Sequence, residues 1–322
     1  MRALLLACAA LALNTMSVGA TAWAADYPDK PIRLIVPFAP GGGTDTVARI
    51  IAKKLSEALV QPIIVDNRAG GGGTIGAQDI VRAKPDGYTL IFGAASYATN
   101  AALYNLPYDP VGDITPISLV GITGYLVVVN PALNIKTTAE LIAYAKANPG
   151  KLNYGSSGTG GLSHLGSELF DMMAGTKMTH VPYKGTGPAL LGLLAGQTQL
   201  MLGSMPTLIP YVKAGKLTAV AVTTTARSAA MPSVPTVAET LPGYEATLWY
   251  GVWGPRGVPA AIVSKLNKAL VDIVQMPDVK VVLANEGLEP FAGPPEALGR
   301  ALKSDIDKWT KVVKAANVKV VE

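Results

Sequence analysis

The amino-acid sequence predicts an α/β fold of two lobes, each a parallel-rich sheet flanked by helices, with two crossing strands as the hinge. Short β-branched apolar runs alternate along the 322-residue chain with glycine-rich loops and amphipathic helices, a pattern typical of parallel sheets covered by helices. The single cysteine lies in an N-terminal leader, so the fold depends on a hydrophobic core, which a chain of this length can supply. No linker separates independent domains.

The N-terminal part shows the alternation most clearly. The run IRLIVPF (32–38) predicts a buried strand, and the following TVARIIAKKLSEAL places its apolar residues on one face of a helix. PIIVDN (62–67) is the next predicted strand, followed by a glycine loop and a helix. YTLIFG (88–93) is the third.

A second series follows the apolar run ISLVGITGYLVVVNP. TTAELIAYAKANPG predicts a helix that Thr137 or Thr138 caps and that Pro149-Gly150 ends. Strand, glycine loop and helix recur in LNYGSS with GTGGLSHLGSELFDMMAG, and in HVPY with KGTGPALLGLLAG. TQLMLGS, LTAVAVTT and the aromatic LWYGVWGP predict further strands, and the C-terminal part predicts helices.

The first 24 residues predict a secretory signal that is cleaved after Ala24. Arg2 gives a positive start, a short apolar run follows, and Ala22-Trp23-Ala24 is a small-x-small cleavage site. A transmembrane anchor fits less well because the apolar run is short and interrupted by polar residues. A lipoprotein signal at Cys8 would leave too short an apolar segment. The chain is therefore expected to be exported from the cytoplasm.

The remaining chain is expected to form two lobes. Residues 25–124 and 246–322 make up lobe 1, and residues 125–245 make up lobe 2. The chain is expected to cross between them near 121–125 and near 245–249.

The charge distribution argues against nucleic-acid binding. Arg2 is the only charged residue of the leader, so 26 of the 27 Lys and Arg residues and all 22 Asp and Glu residues belong to the rest of the chain. This small basic excess is scattered, with no basic run longer than Lys53-Lys54. A weak positive field suits a small anionic ligand.

Two long stretches, residues 114–135 and 185–212, contain no charged side chain. Both contain too many glycines and prolines for membrane-spanning helices.

Glycine-rich loops precede four predicted helices, at residues 41–43, 70–73, 155–161 and 185–187. Each leaves backbone N–H groups at a helix N-terminus, which carries partial positive charge and which an anion can approach closely where no Cβ intervenes. Two such loops facing each other could hold a carboxylate without an arginine. Tight strand-to-helix turns are the alternative, and hydroxyl side chains around the first and third loops favour ligand binding there.

Enzyme signatures match incompletely. Residues 71–76 satisfy G-x-G-x-x-G, but the next strand does not end in the acid expected for a dinucleotide site. GSSGT at 155–159 has threonine where G-x-S-x-G requires glycine. Two histidines and no cysteine after the leader make a soft-metal site unexpected, and no cofactor is predicted. A periplasmic serine hydrolase using Ser157 and His164 remains an alternative; otherwise His164 contacts the ligand or packs as a polar residue.

Asp45 lies where an anion is expected to bind. It either stabilises the start of its helix through the helix dipole or accepts a hydrogen bond from the ligand or a water molecule. Several aromatic residues lie at predicted strand ends or a crossing, where they line a cleft or belong to the core: Phe38, Tyr97, Tyr183, Trp249 and Tyr250.

Five segments together resemble the Bug family, the TctC-like receptors of tripartite tricarboxylate transporters. They are YPDKPIRLIVPFAPGGGTDTVAR, VDNRAGGGGTIGA, KPDGYTLIFG, HVPYKGTGPALLGLLAGQ and LWYGVWGPRGVPAAIV. The resemblance covers essentially the whole chain after the leader. It implies the two-lobed fold of a periplasmic binding protein that closes on a small di-, tri- or aromatic carboxylate. Residues 38–45 and 155–163 match the loops that hold the carboxylate through backbone groups and ordered water.

The resemblance also implies a large and a small membrane transporter subunit as partners, a monomeric receptor and no catalysis. A sensing role beside a membrane signalling kinase is the alternative. Many relatives carry an acid in the motif matching LMLGSMP, where this chain has Gly203-Ser204, so we expect a ligand without an amino group. The expected ligand contacts are Phe38, Gly41, Gly42, Thr44, Asp45, Ser96, Tyr97, Ser156, Ser157, Ser163, His164, Tyr183 and Ser204.

Overall fold

The computed structural model describes residues 27–41, 43–183, 185–285 and 287–319. The signal-peptide prediction and Gly42 lie outside these residues. The described strands are β1 (Ile32–Val36), β2 (Ile63–Asn67), β3 (Thr89–Ala94), β4 (Ile114–Val129), β5 (Asn153–Ser156), β6 (Thr179–Pro182), β7 (Leu200–Ser204), β8 (Thr218–Val222), β9 (Thr247–Pro255) and β10 (Glu289–Pro290). The described α-helices are α1 (Gly43–Leu59), α2 (Thr74–Val81), α3 (Ser96–Leu103), α4 (Thr138–Ala147), α5 (Leu162–Ala174), α6 (Thr186–Leu194), α7 (Met205–Lys213), α8 (Ala260–Gln275), α9 (Pro277–Asn285) and α10 (Pro295–Ala315).

The strands form a mixed sheet flanked by helices, in the order β2-β1-β3-β9-β4-β7-β5-β6, with β8 and β10 also paired to β4. β1 runs parallel to β2 and β3, and β5 runs parallel to β6 and β7, as the alternation of strands and helices predicts. The antiparallel pairs all involve β4 or β9. The α/β prediction is confirmed, and the antiparallel strands lie between the two parallel groups.

The 16-residue strand β4 changes partners along its length. Residues Ile114–Gly124 pair with β9, whereas Tyr125–Val129 pair with β7. The register shifts at two points along the β9 pairing, one of them beside Gly121. β4 and β9 therefore lie side by side between the parallel group β1–β3 and the parallel group β5–β7.

The two uncharged stretches of the sequence belong to this core. The first includes β4, and the second runs through α6, β7 and α7. Across the residues that the structure describes, no helix has both the length and the apolar character needed to cross a membrane.

Helix α10 packs against elements from both parallel groups. Its apolar face buries Leu298, Leu302 and Trp309, and it contacts α3 and α5. These side chains belong to a hydrophobic cluster that extends from β1 to β5. Burial of each such side chain stabilises the fold by about 1.5–3 kcal/mol.

The sequence signals at helix ends are visible in α4. Thr137 is the N-cap, and its side chain accepts a hydrogen bond from the Glu140 backbone N–H while the Glu140 carboxylate accepts from the Thr137 N–H. The helix ends before Gly150, whose φ of 72° suits glycine. Thr137 is therefore the cap, and Thr138 is the first residue of the helix.

Candidate functional site

A cavity of about 400 Å³ lies between the group β1–β3 and the loop that follows β5. It occupies the carboxyl ends of parallel strands, where open α/β sheets bind ligands. A larger depression of about 750 Å³ is an open groove beside α1 and β2, away from this edge. The cavity is lined by Phe38, Gly43, Thr44, Gly72, Ala94, Ser96, Thr99, Asn100, Leu103, Tyr104, Tyr125, Ser157, Gly158, Thr159, Gly160, Gly161, Leu162, Thr186, Ser204, Leu248 and Tyr250.

The starts of five helices meet at this cavity. α1, α3 and α6 contribute Thr44, Ser96 and Thr186 from their first turns. α5 contributes Leu162, its first residue, and α7 contributes Ser204, its N-cap. Each helix N-terminus carries a partial positive charge and backbone N–H groups without intrahelical partners. Among the described lining residues none is Asp, Glu, Lys, Arg or His, so the helix starts and hydroxyl groups set the local polarity.

Asp45, in the first turn of α1, faces the protein interior and not the cavity. Its carboxylate accepts hydrogen bonds of 2.9 Å from the Gly41 N–H, from Arg49 Nε and from Asn67 Nδ2. Asn67 Nδ2 also donates to the Phe38 carbonyl. Burial acts to raise the pKa of Asp45, but these hydrogen bonds and the Arg49 charge outweigh it and lower the pKa to about 2. The ionised carboxylate holds residues 38–41, the first loop, in place.

The opposite wall is formed by residues 156–161, the third of the four predicted glycine loops. We call this segment the second loop of the site. Side chains behind it hold it in place. Ser163 Oγ accepts a 3.0 Å hydrogen bond from the Ser157 N–H and lies 3.0 Å from Ser157 Oγ. His164 Nδ1 accepts from the Gly160 N–H at 3.0 Å. Gly160 has a φ of 80°, in the left-handed region that favours glycine. The glycines of this loop therefore permit a conformation that Ser163 and His164 then stabilise.

The structure brings five of the expected contact residues together in the cavity wall: Phe38, Thr44, Ser96, Ser157 and Ser204. Gly41 lines an adjoining cavity of about 230 Å³, which shares Ser204 and Tyr250 with the first. The two cavities therefore share part of their walls, at Ser204 and Tyr250.

The other expected contacts lie behind the wall. Asp45, Ser163 and His164 support the two loops, as described above. Ser156 is fully buried and its Oγ accepts from the Gly158 N–H at 3.2 Å. Ser156 is the last residue of β5, and Ser157, the first residue of the loop that follows, lines the cavity.

Two expected aromatic contacts pack away from the cavity, Tyr97 in the core and Tyr183 half-buried against a hydrophobic cluster. Tyr97 is 6% exposed and packs edge-on against Trp253, with ring centroids 5.0 Å apart. It lies one residue beyond Ser96 on α3, and neighbouring helix residues point about 100° apart. Tyr183 packs near Gly192 and donates from its hydroxyl to Gln197 Oε1 at 3.3 Å. Both side chains are therefore absent from the cavity wall.

Sequence reasoning missed the face of α3. Thr99, Asn100 and Leu103 follow Ser96 at helical spacings of three, four and seven, and all line the cavity. Asn100 Nδ2 also donates to the Gly72 carbonyl at 2.8 Å, which joins α3 to the glycine loop before α2. The i, i+3, i+4, i+7 pattern from Ser96 would have identified these residues if a helix had been predicted here.

Known proteins resemble this chain along almost all of its length. BugT of Bordetella pertussis is 35% identical over 320 residues, which cover 98% of both chains. The structure of an R. palustris protein with adipate is 38% identical, covers 92% of this chain and 100% of its own, and superposes with a TM-score of 0.81. MatC from Rhodopseudomonas palustris, with bound malate, is 34% identical, covers 89% and 100%, and has a TM-score of 0.74.

The family model described as "Tripartite tricarboxylate transporter family receptor", TctC, matches residues 47–318. The match includes the second loop and most of the cavity wall. It confirms the family that the five quoted segments indicated, together with the two-lobed fold of its solved members. The chain therefore belongs to the TctC family of tripartite tricarboxylate transporter receptors.

Proposed function

We propose that the protein is a periplasmic receptor that captures a small di-, tri- or aromatic carboxylate and delivers it to the membrane subunits of a tripartite tricarboxylate-type transporter. The observation that carries this proposal is the convergence of five helix N-termini on one cavity. Each contributes about 0.3–1 kcal/mol to anion binding when exposed, and up to about 2 kcal/mol when partly buried. The relatives that hold adipate and malate support a carboxylate ligand.

The same charge pattern disfavours a ligand with an amino group. A buried ammonium needs an acidic partner, and none of the described residues in the wall is acidic. The body of the ligand would meet mainly apolar and aromatic side chains, namely Phe38, Leu103, Tyr104, Tyr125, Leu162 and Leu248. This lining favours an extended or aromatic carboxylate over a short, heavily hydroxylated one.

Ligand contact is proposed for the wall residues and not for those behind them. Phe38, Thr44, Ser96, Ser157 and Ser204 are the expected contacts that the cavity geometry supports, and Thr99 and Asn100 join them. Asp45, Ser163 and His164 act by holding the loops.

Closure between two lobes is the proposed mode of capture. The change of β4 partners after Gly124 supports lobes formed by 25–124 with 246–322, and by 125–245. The cavity walls come from both segments. A ligand that contacts both walls binds better to the closed state and shifts the population towards it. We infer that this closed, monomeric form docks on the transporter subunits.

No catalytic role is proposed, because the serine and histidine of the hydrolase alternative do not meet. Ser157 Oγ contacts Ser163, whereas His164 Nδ1 accepts from the Gly160 N–H. A serine–histidine contact of 2.6 Å does join Ser156 and His180, but Ser156 is fully buried outside the cavity wall. A substrate carbonyl cannot reach its hydroxyl there.

Calorimetric titration of the chain from Ala25, after unfolding and refolding to remove carried ligand, tests the proposal. The panel holds citrate, C4 and longer dicarboxylates, terephthalate, benzoate, nicotinate, glutamate and aspartate. We expect one-to-one binding of one carboxylate class and none of the amino acids. Binding of glutamate or aspartate in preference to every other compound would contradict the charge argument. Uptake that requires both this protein and the membrane subunits would support the transport role.

A further inference from the structure

Two histidines form a stacked pair directly behind the second loop. The rings of His164 and His180 lie 3.7 Å apart between centroids, with planes 9° from parallel. The Tyr154 ring stacks on His180 at 5.0 Å. These are the only two histidines in the chain. Histidine is the side chain whose ordinary pKa lies between 5 and 8, so a histidine that holds a loop is a candidate pH-sensitive contact.

Each ring is joined to the loop that lines the cavity. His164 Nδ1 accepts from the Gly160 N–H at 3.0 Å, and His180 Nε2 lies 2.6 Å from Ser156 Oγ. Residues Ser157 to Gly161 of this loop are part of the cavity wall. Each ring therefore forms a hydrogen bond that helps to hold the wall, and a change in the protonation of either ring would alter that bond.

The contact with Gly160 requires an unprotonated Nδ1 on His164. A neutral ring with its proton on Nε2 accepts from the Gly160 N–H and faces Glu168 Oε1 at 3.6 Å. A protonated ring has two N–H donors, so the Nδ1–H and the Gly160 N–H would face each other without an acceptor. A buried donor without an acceptor destabilises the conformation that contains it. Protonation of His164 therefore opposes this loop conformation.

The other titratable groups around the pair define its charge environment. Glu168 faces His164 from α5, Tyr154 stacks on both rings from β5, and Asp171, further along α5, interacts with Tyr154. Burial raises the pKa of Asp171, whereas contacts with His164 and Tyr154 outweigh burial and lower the pKa of Glu168. Burial, followed by the adjacent His164 ring, lowers the pKa of His180 to about 4. His180 thus remains neutral at neutral pH, and Glu168 is a counter-charge for a proton on His164.

Building on the proposed carboxylate function, we propose that His164 is a positioning residue whose protonation weakens ligand binding by releasing the second loop. The carboxylate binds to the form in which Nδ1 of His164 is unprotonated. Affinity is then highest where Nδ1 of His164 is unprotonated and falls as the pH decreases. One linked proton limits this fall to about tenfold per pH unit.

The first test is made on the ligand-free protein by NMR. The Gly160 amide and the His164 ring nitrogens are followed from pH 8 to pH 5.5 in ¹⁵N-labelled protein. We expect Nδ1 to be unprotonated at pH 8, and the Gly160 amide to shift with the same midpoint as the ring. A Gly160 amide that does not respond while His164 titrates would overturn the proposal. A His164 ring that carries its proton on Nδ1 at pH 8 would do the same.

The second test measures adipate affinity over the same pH range in the wild-type protein and three variants. His164→Ala should weaken binding about tenfold at pH 8, as expected for one lost hydrogen bond of about 1.4 kcal/mol. His164→Asn supplies an amide oxygen near the position of Nδ1, so it should recover most of that loss and remove the protein's contribution to the pH dependence. His180→Gln is the matched control and should keep the wild-type pH dependence.

Adipate's own carboxyl groups titrate equally in every sample, so the difference between proteins isolates the histidines. A pH dependence that persists in His164→Asn but vanishes in His180→Gln would assign the proton to the other ring and refute the proposal. If adipate does not bind at any pH, that result counts against adipate as the ligand, while the NMR titration still decides the role of His164.

Discussion

Asp45 is a buried negative charge close to a cavity for which we propose an anionic ligand. Its carboxylate accepts hydrogen bonds from Gly41, Arg49 and Asn67, which hold it behind the cavity wall. Arg49 also supplies the opposite charge. Asp45 therefore pre-organises the first loop and does not compete with the ligand. The observed partners of Asp45 are the preceding loop, Arg49 and Asn67, so its carboxylate joins the loop to α1 and β2.

Asp45→Ala should lower the free energy of unfolding by about 2–3 kcal/mol, because three donors lose a charged acceptor. Chemical denaturation measures this change. Arg49→Ala is the matched control: its side chain is 52% exposed, so its loss should cost less than about 1 kcal/mol. Equal effects of the two substitutions would show that the carboxylate does not organise the loop.

The pKa of Asp45 gives a pH prediction for the same residue. Its pKa is lowered to about 2, so its ionised form stabilises the folded state above the ordinary aspartate pKa of about 4. This stabilisation is lost as the pH falls from about 4 towards 2. The unfolding free energies of the wild type and Asp45→Asn should differ above pH 4 and converge towards pH 2. A difference that stays constant over this range would contradict the cause we assign.

Ser163 supports the second loop without facing the cavity. Ser163→Ala removes the acceptor of the Ser157 N–H and should weaken adipate binding about tenfold, the equivalent of about 1.4 kcal/mol. Ser167→Ala is the matched control on the same helix, since Ser167 Oγ donates to the Ser163 carbonyl one turn earlier and not to the second loop as described. Calorimetry should therefore show a clear loss for the first variant and a small change for the second.

At the scale of elements, the N-terminus of α7 offers a direct test of the electrostatic argument. Ser204 is its N-cap and lies in the cavity wall, whereas a Cβ on Gly203 would meet Leu208 Cδ1 at 2.7 Å in the core. Ser204→Asp should weaken a dicarboxylate at least tenfold through like-charge repulsion. Ser204→Asn has nearly the same shape without the charge and should bind much better. Equal affinities in the two variants would remove repulsion as the cause.

Sequence signals identified the strands of the parallel groups well and the central elements poorly. The first three strands were predicted at 32–38, 62–67 and 88–93, within two residues of the observed bounds. Buried parallel strands have a strong local signal because both faces are apolar. The length of β4 had no such signal, since its change of partners depends on residues far away in the chain. α3 is short and weakly amphipathic, and it was not predicted.

The loops of the candidate site were predictable where backbone chemistry determines them. Glycines before helices indicated the first and second loops, because glycine has a local physical reason to be there. Whether Ser156 or Ser157 lines the cavity depends on where β5 ends and the loop turns, which the sequence does not reveal. The support given by His164 to Gly160 likewise depends on a tertiary contact.

At the scale of the whole molecule, the two walls of the cavity approach each other at Gly160 and Leu103. A Cβ on Gly160 would lie 2.5 Å from Leu103 Cδ1, so there is no space between the second loop and the end of α3. Leu103→Trp should prevent this approach, weaken adipate binding and abolish ligand-induced compaction in small-angle X-ray scattering. Leu191→Trp, at a side chain that is 65% exposed on α6, is the control and should compact normally.

The central claim is that helix N-termini and hydroxyl groups hold a carboxylate without a charged side chain. The most direct measurement compares adipate with its diamide, which has the same length and shape but no charge, by calorimetric titration of the refolded protein. We predict that the diamide binds at least 100-fold more weakly, because uncharged amides gain little from the partial charges of five helix starts. Comparable affinities for the two compounds would show that shape governs binding, and would contradict the account.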